Sequence, residues 1–582
     1  MSTIDPITLE VMRNAFQSVA EEMGAALIRT ALSPNIKDRR DCSTGVYSTA
    51  GELVAQAEHI PLHLGLMPSV VKSTLQIFPV SSLQPGDAII TNDPYISGSH
   101  LPDICILSPL FHDGACLGIL ANLAHHVDIG GMAPGGMPTI STEIFQEGLR
   151  IPPVRIRKAG VVDEELMALI THNVRTSREA KGDLQAQLAA NNVGERRLRE
   201  IIQKYGAEQT ARYMEELINY SERRMRARLR ELPQGVFDFE DCLEGDGLSD
   251  ELLILKVRLS IEPTRIVVDF SGSSPQTKGS VNCTRPVTLA CTFYALKAAI
   301  DPDLPSTGGA FRPVEVITPP GSIVNPRFPA PVSNANINTS QRIADVVLGA
   351  LSKAMPERVP AASSGSMCLF TIGGINPRNG SYYSYVETYG GGQGALFNQD
   401  GMDGVHTNMT NTRNTPAEVI EIAYPLRVDR YGLVPDTDGA GRFRGGLGLT
   451  RELTVLDHHA TINLSSDRLN IRPWGLAGGN AGGTVDSSLT SPTGVKTALP
   501  SKTTRSVEPG THITLRTAGG GGYGHPYLRD PELVRSDVVN GYVSIERARV
   551  EYGVSLDSVS FAINRKETER LRKSGGVEEK IP

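Results

Sequence analysis

Between residues 163 and 232 the chain carries helical periodicity with few strand formers, and strand and turn signals dominate on both sides of that block. A chain that segregates its helices in this way is not built as strand and helix alternating around one parallel sheet. The expected class is a mixed α+β protein. Its expected parts are an N-terminal α/β region over 1–160, a helical segment over 161–232, a large β-rich region with interspersed helices over 233–530, and a C-terminal α/β segment with a charged tail over 531–582. The 58 Gly and 38 Pro among 582 residues fit many turns between short strands.

Local signals refine this outline. Asp5-Pro6 is a helix start, a capping carboxylate followed by proline at the first helical position. Leu9, Met12, Phe16, Val19, Ala20, Met23 and Leu27 then recur every three or four residues, which predicts an amphipathic helix to about residue 32. GVYSTAGELVAQ predicts a hairpin around Ala50-Gly51, and a short helix follows from Pro68 to Ile77. Two or three helices are expected in 163–232, with breaks at Asn191-Asn192-Val193-Gly194 and at Tyr205-Gly206. Further helices are expected at 286–300 and 336–355, and the last fifty residues read as alternating helix and strand.

Charge and cysteine usage exclude several functions. Lys plus Arg is 57 and Asp plus Glu is 64, a net charge of −7. That bias is wrong for a nucleic-acid binder that neutralises phosphates, or for polybasic membrane docking. Seven scattered cysteines with no CxxC pair are neither a disulfide framework nor a zinc knuckle. A reducing, cytoplasmic setting is the simplest expectation. MSTIDPITLEVMRNAF has no apolar signal region, and no uncharged run is long enough to span a bilayer.

The strongest chemical signal is NDPYISGSHLPDI followed by AHHVDIGG. His100 and Asp103 share a turn-rich loop, and His125, His126 and Asp128 follow about two dozen residues later. Imidazole and carboxylate together suit Zn, Mn or Fe. Asp41 in KDRRDCS offers a further oxygen. Neighbouring side chains on a strand point to opposite faces, so at most one of His125 and His126 ligates through regular strand geometry.

Other motifs carry less. The glycine runs at 388–395 and 517–526 read as tight turns in preference to an anion cradle, because neither is a P-loop and Pro526 interrupts any Rossmann context. Cys42 reads as a small buried residue instead of a reactive thiol. His172, His406, His525 and the His458-His459 doublet read as structural.

The runs DRRDCSTGVYSTAGELVAQAEHIPLHLG, PGDAIITNDPYISGSHLPDI, HHVDIGG, SREAKGDLQAQ, VDFSGSSPQTKGSVNC, NTPAEVIE and RPWGLAGG stand in order from about residue 38 to 479. Together they resemble the hydantoinase B/oxoprolinase family. The resemblance implies the second subunit of an ATP-dependent enzyme acting on small cyclic amides. It implies a hydantoinase A-like partner that binds ATP, in a heterotetramer or larger assembly. It also implies a divalent metal held by His100, Asp103, His125 and Asp41. His126, Asp93 and Asp128 would orient those ligands, with His126 or Asp128 as general base. The partner would phosphorylate the ring carbonyl oxygen, and metal-activated water on this chain would open the ring. Related acetone and acetophenone carboxylases keep a carboxylation reading open, as does a purely scaffolding subunit. Hydantoin, N-methylhydantoin, 5-oxoproline and larger lactams all remain as substrates.

Overall fold

A computed structural model describes residues 4–574 apart from Glu58 and Ser97. Helix α1 (Pro6–Thr30) starts as expected, with Asp5 Oδ2 accepting a hydrogen bond from the Thr8 amide at 2.9 Å. Its buried face is Met12, Phe16, Val19, Met23 and Leu27. Each such side chain contributes about 1.5–3 kcal/mol when fully buried. A short helix α2 (Pro34–Lys37) follows and delivers the chain to the first sheet.

That sheet holds seven strands in the order β2-β1-β5-β4-β3-β6-β7. They are β1 (Cys42–Tyr47), β2 (Leu53–Gln56), β3 (Ala88–Thr91), β4 (Asp103–His112), β5 (Ala115–His125), β6 (Val154–Lys158) and β7 (Val161–Val162). The β1–β2 hairpin is the expected one. Helix α3 (Pro61–Ile77) begins a full turn and more before the expected Pro68, because Pro61 at its first turn is a compatible start.

The helical block resolves into α4 (Glu164–His172), α5 (Ser177–Tyr205) and α6 (Ala207–Glu231). Gly206, with φ +83, makes the expected break before α6. The break expected at Asn191-Asn192-Val193-Gly194 is absent, and α5 runs through it. Asn191 Nδ2 donates to Ser108 Oγ at 3.1 Å, and Asn122 Nδ2 donates to Asn191 Oδ1 at 2.8 Å. A Cβ on Gly194 would stand 2.4 Å from Met23 Sδ. The residues that mimic a helix break are thus the ones that fasten α5 to the sheet and let α1 approach it.

A second sheet orders β11 (Val314–Ile317), β10 (Ile266–Asp269), β9 (Leu252–Ile261) and β8 (Gly235–Glu244). Helix α8 (Ser340–Ala354) packs on it and is buried along almost its whole length, and helix α7 (Arg285–Ile300) packs against α8 and α3. A third sheet is β13 (Tyr382–Thr388), β12 (Leu369–Ile375), β16 (Ala460–Ser465) and β19 (Lys502–Val507). A fourth is β14 (Leu426–Val434), β15 (Gly448–Val455), β20 (His512–Arg516), β17 (Asp486–Thr490) and β18 (Lys496–Ala498). A short helix α9 (Ala417–Ala423) leads into β14. The protein is therefore α+β. From 531 onward the described residues form α10 (Pro531–Val539), α11 (Ile545–Tyr552) and α12 (Arg565–Ser574), with one isolated bridge, Leu556–Ile563. The expected helix–strand alternation there is not found. Val534, Val538, Val543 and Val554 pack as a small helical cluster against Ala440. The last residues of the charged tail lie outside the described residues.

The glycine runs are neither turns nor an anion cradle. They lie backbone against backbone: Gly520 N donates to Gly446 O at 2.9 Å, Gly521 N to Ala362 O at 2.8 Å and Gly522 N to Asn480 O at 2.9 Å. With those amides engaged, they offer an anion no cradle. A Cβ on Gly520 would stand 2.1 Å from the Gln393 carbonyl oxygen. Gly520→Ala is accordingly expected to lower stability by about 1–3 kcal/mol or more, the usual scale of overpacking. A denaturation midpoint equal to wild type would contradict this.

Candidate metal centre

Strand register assembles the centre. Asp103, the first residue of β4, pairs directly with His125, the last of β5. The His125 amide donates to the Asp41 carbonyl at 3.0 Å, so the residue before β1 lies alongside. Three adjacent strand ends thus set Asp41, Asp103 and His125 in a row. His100 turns back over them, since the Asp103 amide donates to the His100 carbonyl at 3.2 Å. Helix α3 crosses the strand ends and brings His63, in its first turn, onto the same spot.

His100 Nε2 stands 3.3 Å from Asp103 Oδ2 and 3.2 Å from His125 Nδ1, and His125 Nδ1 stands 3.0 Å from Asp103 Oδ1. His63 Nε2 lies 3.6 Å from Asp103 Oδ1 and 3.9 Å from Asp41 Oδ1. Donor atoms around one tetrahedral ion, each about 2.0–2.1 Å from it, stand about 3.3–3.4 Å apart. The His100–Asp103–His125 spacing fits that pattern, and all three side chains are buried. Asp41 lines the same cavity from its edge.

The ligands are oriented from outside. His100 Nδ1–H donates to the Ser333 carbonyl at 2.9 Å, which turns the Nε2 lone pair inward. Ser99 Oγ and Asn336 Nδ2 both donate to Asp103 Oδ2, the latter at 3.1 Å. Glu147 accepts from the Ser333 amide at 3.0 Å and so holds the carbonyl that holds His100. Burial pushes the Glu147 carboxyl up to about 7. Burial alone would also raise Asp103, but His100 and His63 hold its carboxyl well below the ordinary range. Burial opposes charge on His100 as well, yet Asp103 prevails and raises its pKa. His125 Nδ1 lies within hydrogen-bond reach of the same carboxylate, 3.0 Å from Asp103 Oδ1.

The cavity holds about 30 Å³, above the ~10–15 Å³ that one water needs. Ile60, Leu62, Met137, Ile337, Met367 and Met409 are among its apolar walls. Thr410 lines both this cavity and an outer cleft of about 370 Å³. Pro61 and Asn411 are shared between that cleft and a larger one of about 690 Å³ between α3 and α7. Small-molecule space therefore lies directly outside the centre.

His126 and Asp128 are not brought to the cluster. His126 faces the opposite side of the sheet, where its Nε2 meets Gln187 Oε1 at 3.0 Å, and burial lowers its pKa. Asp128 is fully engaged: it accepts from Gly130 N at 2.9 Å, Gly135 N at 3.0 Å and Arg175 N at 2.9 Å. Asp93 accepts from Tyr95 N at 2.9 Å and pairs with Arg150, which shapes the loop before His100. Among the described residues none of the three hydrogen-bonds to His100, Asp103 or His125. Cys42 is buried and its thiol pushed up by burial. His458 sits in the third sheet's core against Tyr383.

Sequence reasoning missed His63. Its only signal is HIPLHLG, a histidine two residues after Pro61 at a helix start. Asn336 and Ser333 were missed as well.

This geometry defines a buried His/Asp centre in an α+β protein, and comparison places it. A model of the hydantoinase B/oxoprolinase family matches residues 5–526. The chain belongs to that family. It is 43% identical to an uncharacterised protein of Methanocaldococcus jannaschii, covering 98% of this chain and all of that one. It is 33% identical to the B component of a putative D-/L-hydantoinase from a Pseudomonas species, over 98% of this chain and 99% of the other. Among solved structures it is similar to the ATP-dependent caprolactamase of Pseudomonas jessenii, with a TM-score of 0.92 and 31% identity, over 98% of this chain and all of that one.

Proposed function

We propose that this chain is the metal-bearing subunit of an ATP-dependent enzyme that opens cyclic amides. The observation that carries the reading is the buried His100–Asp103–His125 trio with its inward-facing lone pair. Relatives matched along nearly their whole length are named as a component of a putative hydantoinase and as an ATP-dependent caprolactamase, which supports the substrate class.

An amide carbon is a poor electrophile because resonance stabilises the C–N bond. A companion ATP-binding subunit, hydantoinase A-like, transfers phosphate to the ring carbonyl oxygen. Water then adds to that carbon, the ring nitrogen leaves as the amine and an acyl phosphate remains, and a second water splits the acyl phosphate into the open carboxylate and inorganic phosphate. On this chain His100, Asp103, His125 and Asp41 would hold a divalent ion, Zn, Mn or Fe by the chemistry of the donors. Such an ion supplies Lewis acidity, which brings the pKa of water from about 15.7 toward 7.

The chain's own residues do the rest. Apolar walls exclude bulk water and protect the activated carbon. His63 Nε2 borders the cluster, and its Nδ1 lies 3.4 Å from Ser43 Oγ. It takes the proton from the attacking water, the task that His126 and Asp128 are placed too far aside to perform. His63→Asn is expected to keep the metal and lower kcat by about 10²–10⁴-fold, the usual share of a general base. Loss of the ion in that variant would make His63 a ligand instead.

The test is an assay of this chain with its companion over a panel of lactams and hydantoins, with and without bicarbonate. Phosphate release with ring opening, independent of bicarbonate, is the expected result. Turnover of a ketone that requires bicarbonate would move the protein to the carboxylases.

A further inference from the structure

Among the described residues, the five most deeply buried arginines are Arg39, Arg342, Arg451, Arg468 and Arg529. Four of them pair with carboxylates: Arg342 with Asp467, Arg451 with Glu387, Arg468 with Asp241 and Arg529 with Asp400. Arg39 does not. Its Nη1 donates to Asn35 Oδ1 and to the Val386 carbonyl at 2.9 Å, and its Nη2 donates to Thr388 Oγ1 at 2.7 Å. All three partners are neutral. Its Nε is buried without any hydrogen-bond partner, as are those of Arg342, Arg451 and Arg468, so the neutral partners of its Nη atoms are what set it apart. A guanidinium has five N–H donors, so two remain unused.

Burying an uncompensated cation is costly, and it persists where something offsets it. Arg39 lines the same cavity as His100, Asp103 and His125. Asp41 and Asp103 line that cavity too, but a divalent ion held there would take up their charge. A divalent ion with Asp103 and Asp41 is neutral overall, which leaves the Arg39 charge over. His406, which touches Thr410 and Thr412 of the cavity wall, is kept neutral by burial, its pKa lowered to about 3.

We infer that Arg39 is the anion-binding residue of the centre and that its unused N–H groups, at Nε and Nη2, receive one oxygen of an oxyanion beside the metal ligands. Arginine is suited to this because its planar fork matches carboxylate and phosphate oxygens. Two sources share the chemistry: the phosphoryl group of the activated substrate, or the carboxylate formed when the ring opens. The inference rests on the ring-opening reading for those sources, but its test does not.

The experiment measures binding of inorganic phosphate and of propionate to the manganese-loaded full chain by calorimetry, with no ATP and no turnover. Wild type is expected to bind at least one of them at least tenfold more tightly than Arg39→Gln, at equal manganese content. Preference for phosphate names the phosphoryl source, and preference for propionate names the product carboxylate. Equal affinities in wild type and variant, or no binding of either anion, would overturn the inference. Arg39→Lys keeps the charge but lacks the Nε–H of the fork. It is the variant to use if Arg39→Gln loses its melting transition, and at least fivefold weaker binding is expected of it; unchanged binding would again overturn the inference. Failure of the lactam assay with Arg39-dependent anion binding would remove only the hydrolase reading. Ring opening with anion binding indifferent to Arg39 would remove only this one.

Discussion

Asp103→Asn is expected to leave the fold intact, reduce the bound metal to traces and lower ring opening by more than about a hundredfold. Loss of a partner outside the ligand set alone costs about 10–100-fold in metal affinity or activity. Asp103 is the one group that touches every histidine of the centre: His63 at 3.6 Å, His100 at 3.3 Å and His125 at 3.0 Å. Asparagine keeps the shape, and it keeps an oxygen for Ser99 or Asn336. It removes the negative charge that a divalent cation needs. Fold is read by circular dichroism, metal by elemental analysis and activity by ring opening. A variant with full metal and full turnover would show that the trio is a structural polar cluster.

Arg342→Met is expected to be strongly destabilising. Arg342 is wholly buried, with Nη2 2.7 Å from Asp467 and Nη1 3.1 Å from Asp241. Arg468 lies 2.8 Å from Asp241 and 3.3 Å from Asp345, and Lys502 lies 3.4 Å from Asp467. Three cations therefore meet three carboxylates inside the protein, joining β8, α8, β19 and the segment after β16. Removing one partner of a buried pair typically costs about 3–5 kcal/mol, because the other charge stays behind unpaired. The expected result is a fall of that size in unfolding free energy, read from the denaturation midpoint. Arg342→Met combined with Asp467→Asn is expected to recover part of the loss. The network also reaches the centre: Asp345 accepts from Asn408 Nδ2 at 3.0 Å, next to Met409 and Thr410 of the cavity wall. A midpoint within about 0.5 kcal/mol of wild type would mean that the network is energetically idle.

How much of this was legible in the sequence differs residue by residue. Helix α1 announced itself through Asp5, Pro6 and an apolar stripe, because capping and periodicity are local effects. His100, Asp103, His125 and Asp41 stood out as metal-compatible types in turn-rich loops at strand ends. The reason they meet is not local: the pairing of Asp103 with His125 is a matter of strand register. His63 was invisible for the same reason, since its sequence neighbours are apolar and only the crossing of α3 over the sheet gives it a role. Asn191 and Gly194 misled because short polar residues and glycine do break isolated helices. Here their side chains, or the lack of one, serve contacts with another layer. The glycine runs misled in a similar way. Their close backbone packing joins segments more than a hundred residues apart, such as Gln393 and Gly520, which no window of sequence can display.

Metal removal and return, on the wild-type chain in complex with the proposed ATP-binding companion, puts the proposed centre to its plainest trial. The chain as purified is measured for metal by elemental mass spectrometry, dialysed against a chelator, and then supplied with Zn, Mn or Fe in turn. The expected result is about one divalent ion per chain, loss of ATP-dependent ring opening when that ion is removed, and recovery with one of the three metals. Undiminished ring opening by a complex with less than about a twentieth of an ion per chain would contradict it.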